Sequence, residues 1–340
     1  MKLFEFARDF FRGGKDLARL AAWLELPESE LRDWLQGRPP EPRGQLYTYA
    51  RFTIPKRRGG EREIHAPSDA LKALQRRIHQ RMLNPLPAHS AATGFVRGRS
   101  IVDNARPHVA QGVVINLDLA DFFPSIPAER VYQTLRALGW GRQPAKILAN
   151  ICTHEGRLPQ GAPTSPALSN LICRRMDVRL DALAAKCGGH YTRYADDLTF
   201  SFPKFGRNKR QRTKNTKSPV PALLTPSEPD PSPAPHEHFD SVRRSLLATI
   251  RRILEEEGFR IQMKNKVRLQ RPHQRQTATG LVVNRGVNLP RAVRRRIRAM
   301  QHRERRGLLD RKSVQALRGW ESLLSMIRRQ CGPRGPGAPN

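Results

Sequence analysis

From Tyr191 to Phe202 the residues fit a β-hairpin: Tyr191-Thr192-Arg193 and Leu198-Thr199-Phe200-Ser201-Phe202, rich in β-forming side chains, flank Tyr194-Ala195-Asp196-Asp197. Such a hairpin commits the chain to an antiparallel sheet and sets two adjacent carboxylates at one exposed tip. Two carboxylates that close repel each other, unless a hard cation with a preference for oxygen ligands neutralises them. The dipeptide alone is weak evidence, because an Asp-Asp pair arises by chance about once in a chain of this size. A solvated acidic turn explains it equally well.

A third acid changes the balance. Val113-Val114-Ile115-Asn116-Leu117-Asp118 is a mostly apolar run of strand length that delivers Asp118 at its carboxyl end, where packing gives no reason for an acid. Leu119-Ala120-Asp121-Phe122-Phe123-Pro124-Ser125-Ile126 follows. Pro127 then opens a helix with Val131, Leu135 and Leu138 on one face and Gly139 as its stop. If this strand lies beside the hairpin, Asp118, Asp196 and Asp197 converge. Two metal ions about 3.5 to 4 Å apart would then clamp the attacking hydroxyl and the leaving pyrophosphate of an in-line displacement.

The charge names a partner class. Lys and Arg number 62 against 30 Asp and Glu, a formal balance of +32 in 340 residues, which points to a polyanion and to nucleic acid first. No apolar stretch approaches the roughly eighteen residues that span a bilayer, so no membrane partner is expected. Glu5 and Asp9 among the first apolar residues speak against a cleavable leader, and the expected location is cytoplasmic. Cys152, Cys173, Cys187 and Cys331 lack any Cys-x-x-Cys spacing, so reduced structural thiols are expected rather than disulfides or zinc.

Along the chain, residues 1–45 read as a helical lead-in ending in Pro39-Pro40-Glu41-Pro42. Tyr47 to Ile64 reads as two strands joined at Gly59-Gly60 under dense positive charge, either a solvated edge or a flap whose Lys56 and Arg62 meet a triphosphate. Ser68 is placed to cap the next helix. Thr93 to His108 interleaves glycines and arginines in a way that suits close approach to a phosphate backbone, or simply a loop. In Leu158 to Pro166, Ser165 caps and Pro166 opens a helix running to about 186, while Gln160-Gly161 would suit packing against a base pair. Residues 203–238 change composition abruptly: seven Lys or Arg and no acid lie in 203–217, and seven prolines in 219–235, as in a disordered or extended insertion. A helix then leads to an alternating strand at Phe259, Ile261 and Met263, with Lys264 and Lys266 directly after it. A strand pair over 277–289 precedes two helices. The first carries eight arginines against the single acid Glu304 within 291–306, a face suited to tracking a duplex backbone.

These motifs, in this order, resemble bacterial reverse transcriptases, and the retron enzymes most closely. Ile54-Pro55-Lys56 with Gly59-Gly60 and Arg62 is similar to the family's fingers motif. Asp118 with Phe122-Phe123 resembles its first catalytic motif, Pro159-Gln160-Gly161 with Ser165-Pro166 its template-side motif, and Tyr194-Ala195-Asp196-Asp197 its polymerase box. Asn104-Ala105-Arg106-Pro107-His108 fits the retron Asn-Ala-x-x-His element. Ala278-Thr279-Gly280 differs by one residue from the retron Val-Thr-Gly element.

The resemblance implies an α+β chain with the right-hand polymerase fold: fingers, a palm made of an antiparallel sheet backed by helices, and a helical thumb. It divides the chain into the lead-in (1–45), fingers and palm (46–285, with the 203–238 insertion), thumb (286–330) and a flexible tail (331–340). It implies two Mg²⁺ held by Asp118, Asp196 and Asp197, with Mn²⁺ as a substitute. Incoming dNTP would meet Lys56, Arg62 and the backbone at Asp121 and Phe122, with Phe123 excluding a ribose 2′-hydroxyl and Gln160 beside the nascent pair. Lys266, or alternatively Lys264, would protonate the leaving pyrophosphate. Asn104, His108, Thr279, Gly280, Arg294, Arg295 and Arg298 would contact RNA. Partners implied are a structured non-coding RNA as template and primer, its DNA product, and an effector protein in phage defence. A group II intron-like enzyme and a non-catalytic RNA-binding module are the alternatives.

Overall fold

A computed structural model describes residues 16–37, 47–56, 59–203, 235–262 and 267–331. Helices α1 (Asp16–Leu24) and α2 (Glu28–Leu35) come first, with Pro27 at the start of the second, and they bury Leu20, Leu24, Leu31 and Trp34 in the main core. Strands β1 (Tyr49–Pro55) and β2 (Glu61–Pro67) pair only with each other, in register from Tyr49↔Pro67 to Pro55↔Glu61. This hairpin stands away from the body, leaving Phe52 and Ile54 nearly half exposed.

Helix α3 (Asp69–Ile78) runs on into one wide turn, His79–Leu83. Ser68 precedes it but makes no cap bond. Its Oγ instead accepts from the Thr48 N–H at 3.4 Å, so the side chain ties helix to hairpin. The short α4 (Ile101–Ala105) starts with a full capping box between Ser100 and Asp103. Then come β3 (Val113–Asp118), α5 (Ala128–Ala137) and α6 (Arg142–Cys152). The single helix anticipated over 165–186 is two, α7 (Ser165–Ile172) and α8 (Arg174–Lys186), broken at Cys173 where ψ is −4°. Ser165 lies inside α7, and its Oγ donates to the Pro159 carbonyl at 2.7 Å rather than capping the helix.

After β4 (His190–Tyr194) and β5 (Asp197–Phe202), the anticipated insertion lies outside the described residues from 204 to 234. The long α9 (Pro235–Glu256) resumes the chain. The strand anticipated at 259–263 is reduced to one bridge, Ile261 with Leu119, and 263–266 lie outside the described residues. Next are β6 (Arg268–Gln270), the two-residue strands β7 (Thr277–Ala278) and β8 (Leu281–Val282), and two final helices, α10 (Arg291–Arg305) and α11 (Arg311–Cys331).

The central sheet has the order β4-β5-β3-β6 with every pair antiparallel. Alternation along its strands separates two faces. Ile115 and Leu117 of β3, with Leu198, Phe200 and Phe202 of β5, join the main core against α8 and its neighbours. The opposite face carries Val114, Asn116 and Asp118 beside Ser201, Thr199 and Asp197. Its lower end is covered by a second core in which Val114, Val102 and Ala105 meet Ala278, Leu281, Leu289, Ile297 and Leu317. The segment from the β7–β8 turn to the last helix is fastened at both ends to the start of α4: Thr279 Oγ1 donates to the Ile101 carbonyl at 3.3 Å, and the cap residue Ser100 donates from Oγ to Gln330 Oε1 at 2.7 Å. At the other end of this face Asp118 is buried, Asp196 half-buried and Asp197 exposed.

Candidate active site

Asp118 and Asp197 are the last pair of the β3–β5 ladder and sit directly opposite one another, so their side chains leave the same face of the sheet. Asp196 is in the turn between β4 and β5, and its carbonyl accepts from the Leu119 N–H at 3.1 Å. The Asp118 carbonyl accepts from the Gln262 N–H at 2.8 Å, so the strand end is held from both sides. Burial raises the Asp196 pKa above the ordinary carboxylate value, while Arg62 and Lys56 act in the opposite direction. The cations of the β1–β2 hairpin are thus near enough to Asp196 to act on its charge.

The donor set is all carboxylate oxygen, which suits a hard divalent cation and suits zinc or copper poorly. Among the described residues no three His, Cys, Asp or Glu side chains are gathered into a ready metal cluster. The convergence anticipated for all three acids is therefore one of backbone register. A half-desolvated carboxylate at Asp196, beside the Asp118–Asp197 pair, is the feature that fits a metal ion.

The acid-bearing turn is held by residues that carry no motif in the sequence. Arg193, fully buried on the core side of β4, donates from Nε and Nη2 to the Asp177 carboxylate of α8 at 2.8 and 2.7 Å, and Tyr191 donates to the same carboxylate at 2.8 Å. Its remaining Nη1 donates to the Ala195 carbonyl at 3.2 Å. Ala195 has φ +58°, a conformation disfavoured for alanine, so the turn needs this support. From the other side the Thr93 N–H donates to the Arg193 carbonyl at 2.8 Å, and Asn170 Nδ2 to the Gly94 carbonyl at 2.9 Å. A Cβ at Gly94 would stand 2.5 Å from the Ala195 nitrogen. This glycine therefore allows close approach to the chain's own turn. The available signal was strand parity: Arg193 shares the core-facing side of β4 with Tyr191, and a cation there requires a buried anion.

The loop at 160–161 packs on the β1–β2 hairpin. The Gln160 carbonyl accepts from the His65 N–H at 2.9 Å, and a Cβ on Gly161, at φ +136°, would stand 2.5 Å from the His65 carbonyl oxygen. The bare backbone of Gly161 serves the fit against β2. Asp121 is exposed with φ +43°, and Phe122 is buried in the core. Phe123 is half-buried between Phe122 and the exposed Phe95, with ring centroids 5.2 and 6.0 Å away. Lys264 and Lys266 lie outside the described residues. Arg294, Arg295 and Arg298 are all exposed on α10.

Asn104 and His108, anticipated as RNA contacts, are instead buried with internal partners. His108 lies between the Ser201 and Thr192 hydroxyls, each 2.7 Å from a ring nitrogen, and burial together with nearby His190 lowers its pKa to about 3. Asn104 Oδ1 accepts from Thr93 Oγ1 at 2.8 Å, and its Nδ2 reaches Thr279 Oγ1 at 3.5 Å. Thr279 and Gly280 form the tight turn between β7 and β8, at φ +46° and +80°, with Thr279 partly covered by α4 and Gly280 exposed. The two elements singled out in the sequence thus meet each other and brace the front of the sheet.

Residues 54–216 match the family model described as reverse transcriptase (RNA-dependent DNA polymerase). Retron Mx162 reverse transcriptase of Myxococcus xanthus is 37% identical over 304 residues, covering 82% of this chain and 57% of that protein. Retron Mx65 reverse transcriptase of the same organism is 40% identical over 305 residues, covering 84% and 62%. Retron Ec86 reverse transcriptase of Escherichia coli is 42% identical over 158 residues, covering 46% and 49%. The chain spans about half to three fifths of the length of these curated relatives.

Proposed function

The chain belongs to the retron-type reverse transcriptases, and from that premise we propose that it is an RNA-directed DNA polymerase that copies a structured non-coding RNA into RNA-linked single-stranded DNA. The observation that carries the reading is the strand register: Asp118 opposite Asp197, with Asp196 at the adjoining turn, where Arg62 and Lys56 oppose the effect of burial on its charge. Fingers correspond to the β1–β2 hairpin, the palm to the central sheet with its helices, and the thumb to α10 and α11.

Asp118, Asp196 and Asp197 would hold two Mg²⁺ ions, or Mn²⁺ in their place, which when bound supply Lewis-acid activation and charge neutralisation. The other roles fall to side chains. Lys56 and Arg62 bind the triphosphate, Arg62 through its fork of donors and Lys56 as a point charge. The backbone at Asp121 and Phe122 floors the nucleotide site, Phe123 stands against the sugar and excludes a 2′-hydroxyl, and Gln160 borders the nascent pair. Lys266, or Lys264, is the candidate proton donor to pyrophosphate. Arg294, Arg295 and Arg298 follow the nucleic-acid backbone. By likeness to the retron enzymes, the biological setting is phage defence with an effector partner.

The test is dNTP incorporation with Mg²⁺ on the RNA that co-purifies, comparing the wild type with Asp196→Ala/Asp197→Ala. Loss of product by a factor on the order of 10³ or more is expected, since removing two carboxylates removes the charge-stabilising device. Equal product from both proteins would refute the polymerase. A module that only shields RNA would keep full biological activity in that variant.

A further inference from the structure

Four aromatic rings run from the core to the surface in the segment that follows Asp118 and in its neighbours. Phe259 and Phe122 have centroids 5.8 Å apart and are buried, Phe123 follows at 5.2 Å and is half-buried, and Phe95 follows at 6.0 Å and is 48% exposed. Phe95 is the outermost, and it has φ +61°. A bulky residue in that region is strained by about 1 to 3 kcal/mol, and glycine would adopt the same backbone freely. The strain arises next to the catalytic turn: Gly94 is pressed against Tyr194 and Ala195, and Asn170 holds its carbonyl. Phe95 is therefore held at the surface by the same contacts that fix the turn carrying Asp196. Little of its ring is used for core packing, and its ring neighbour among the described residues is Phe123.

We infer that Phe95 is a specificity-determining residue that acts through Phe123, bracing that ring so that it stays against the sugar of the incoming nucleotide. The inference rests on the assignment of Phe123 to the sugar site. Without the outer ring, Phe123 is free to turn toward the space Phe95 occupied, and the room beside C2′ grows. The consequence is admission of ribonucleotides, with the acids and the triphosphate-binding cations undisturbed.

Phe95→Gly is the informative variant, because it removes the ring while relieving the backbone. Single-nucleotide incorporation on a primed RNA template would be measured as kcat/KM for each dNTP and for the matching NTP. The variant is expected to lose on the order of tenfold in the dNTP to NTP ratio, within the range by which a pocket senses one hydroxyl, and to keep or raise its thermal midpoint. Phe123→Ala should relax the ratio at least as far, and Phe95→Gly added to it should change the ratio no further, as expected if one ring acts through the other. A wild-type ratio in Phe95→Gly, with relaxation in Phe123→Ala, overturns the inference and leaves the sugar-site assignment standing. A wild-type ratio in both, with dNTP still incorporated, overturns the inference together with that assignment but not the polymerase.

Discussion

Arg193 shows how a single side chain joins the core to the chemistry. Three of its donors are used, two on Asp177 and one on the Ala195 carbonyl. Arg193→Met would leave Asp177 as an uncompensated buried charge and should cost about 3 to 5 kcal/mol in denaturant unfolding. Arg193→Met with Asp177→Leu should recover part of that stability, yet incorporation should stay low because the turn still lacks its donor. His108 gives a pH signature. Its pKa is depressed to about 3 in the fold against an ordinary value of 6.5, so the unfolded chain binds the extra proton first. Its contribution is complete above about pH 6.5 and declines as pH falls, at up to about 1.4 kcal/mol per unit. His108→Gln should flatten the acid limb of a stability curve recorded between about pH 4 and 6.5. The sequence made Asn104 and His108 conspicuous without revealing their direction, because polar side chains that meet only one another carry no periodic signal.

At the level of elements, hydrophobic alternation and capping signals made the two hairpins, β3 and the C-terminal helices legible. They did not reveal the break at Cys173, since Leu168, Ile172 and Met176 keep one apolar face across it. Nor did they reveal what the glycines are for, because close approach between distant segments depends on tertiary packing. Gly161 is the clearest case. A methyl there meets the His65 carbonyl at 2.5 Å, and backbone of β2 cannot yield as a side-chain tip would. Gly161→Ala should displace the hairpin that carries Lys56 and Arg62. We expect kcat/KM for dNTP to fall about tenfold or more by misplacement of those cations, with RNA affinity largely retained in a filter-binding assay.

For the whole molecule, charge was the most readable property, and the +32 balance is concentrated in part on α10. Replacing Arg294, Arg295 and Arg298 with Gln should weaken binding to RNA–DNA duplex across all sequences. The slope of log K against log salt should become shallower by about 2 to 3, at roughly 0.7 to 0.9 per lost phosphate contact. The arrangement that carries this helix was not readable, because the second core draws one residue from β3, two from α4 and the rest from segments more than 150 positions later. Its anchorage has a mechanical consequence. With both feet of the C-terminal segment set at the start of α4, on Ile101 and on its cap Ser100, it is a closed stirrup and not a free arm. The α4 helix also holds Thr93 through Asn104, one position before the glycine that touches the acid-bearing turn. On the function proposed above, load placed on the stirrup by a moving duplex would be delivered, through one short lever, to the turn that carries Asp196.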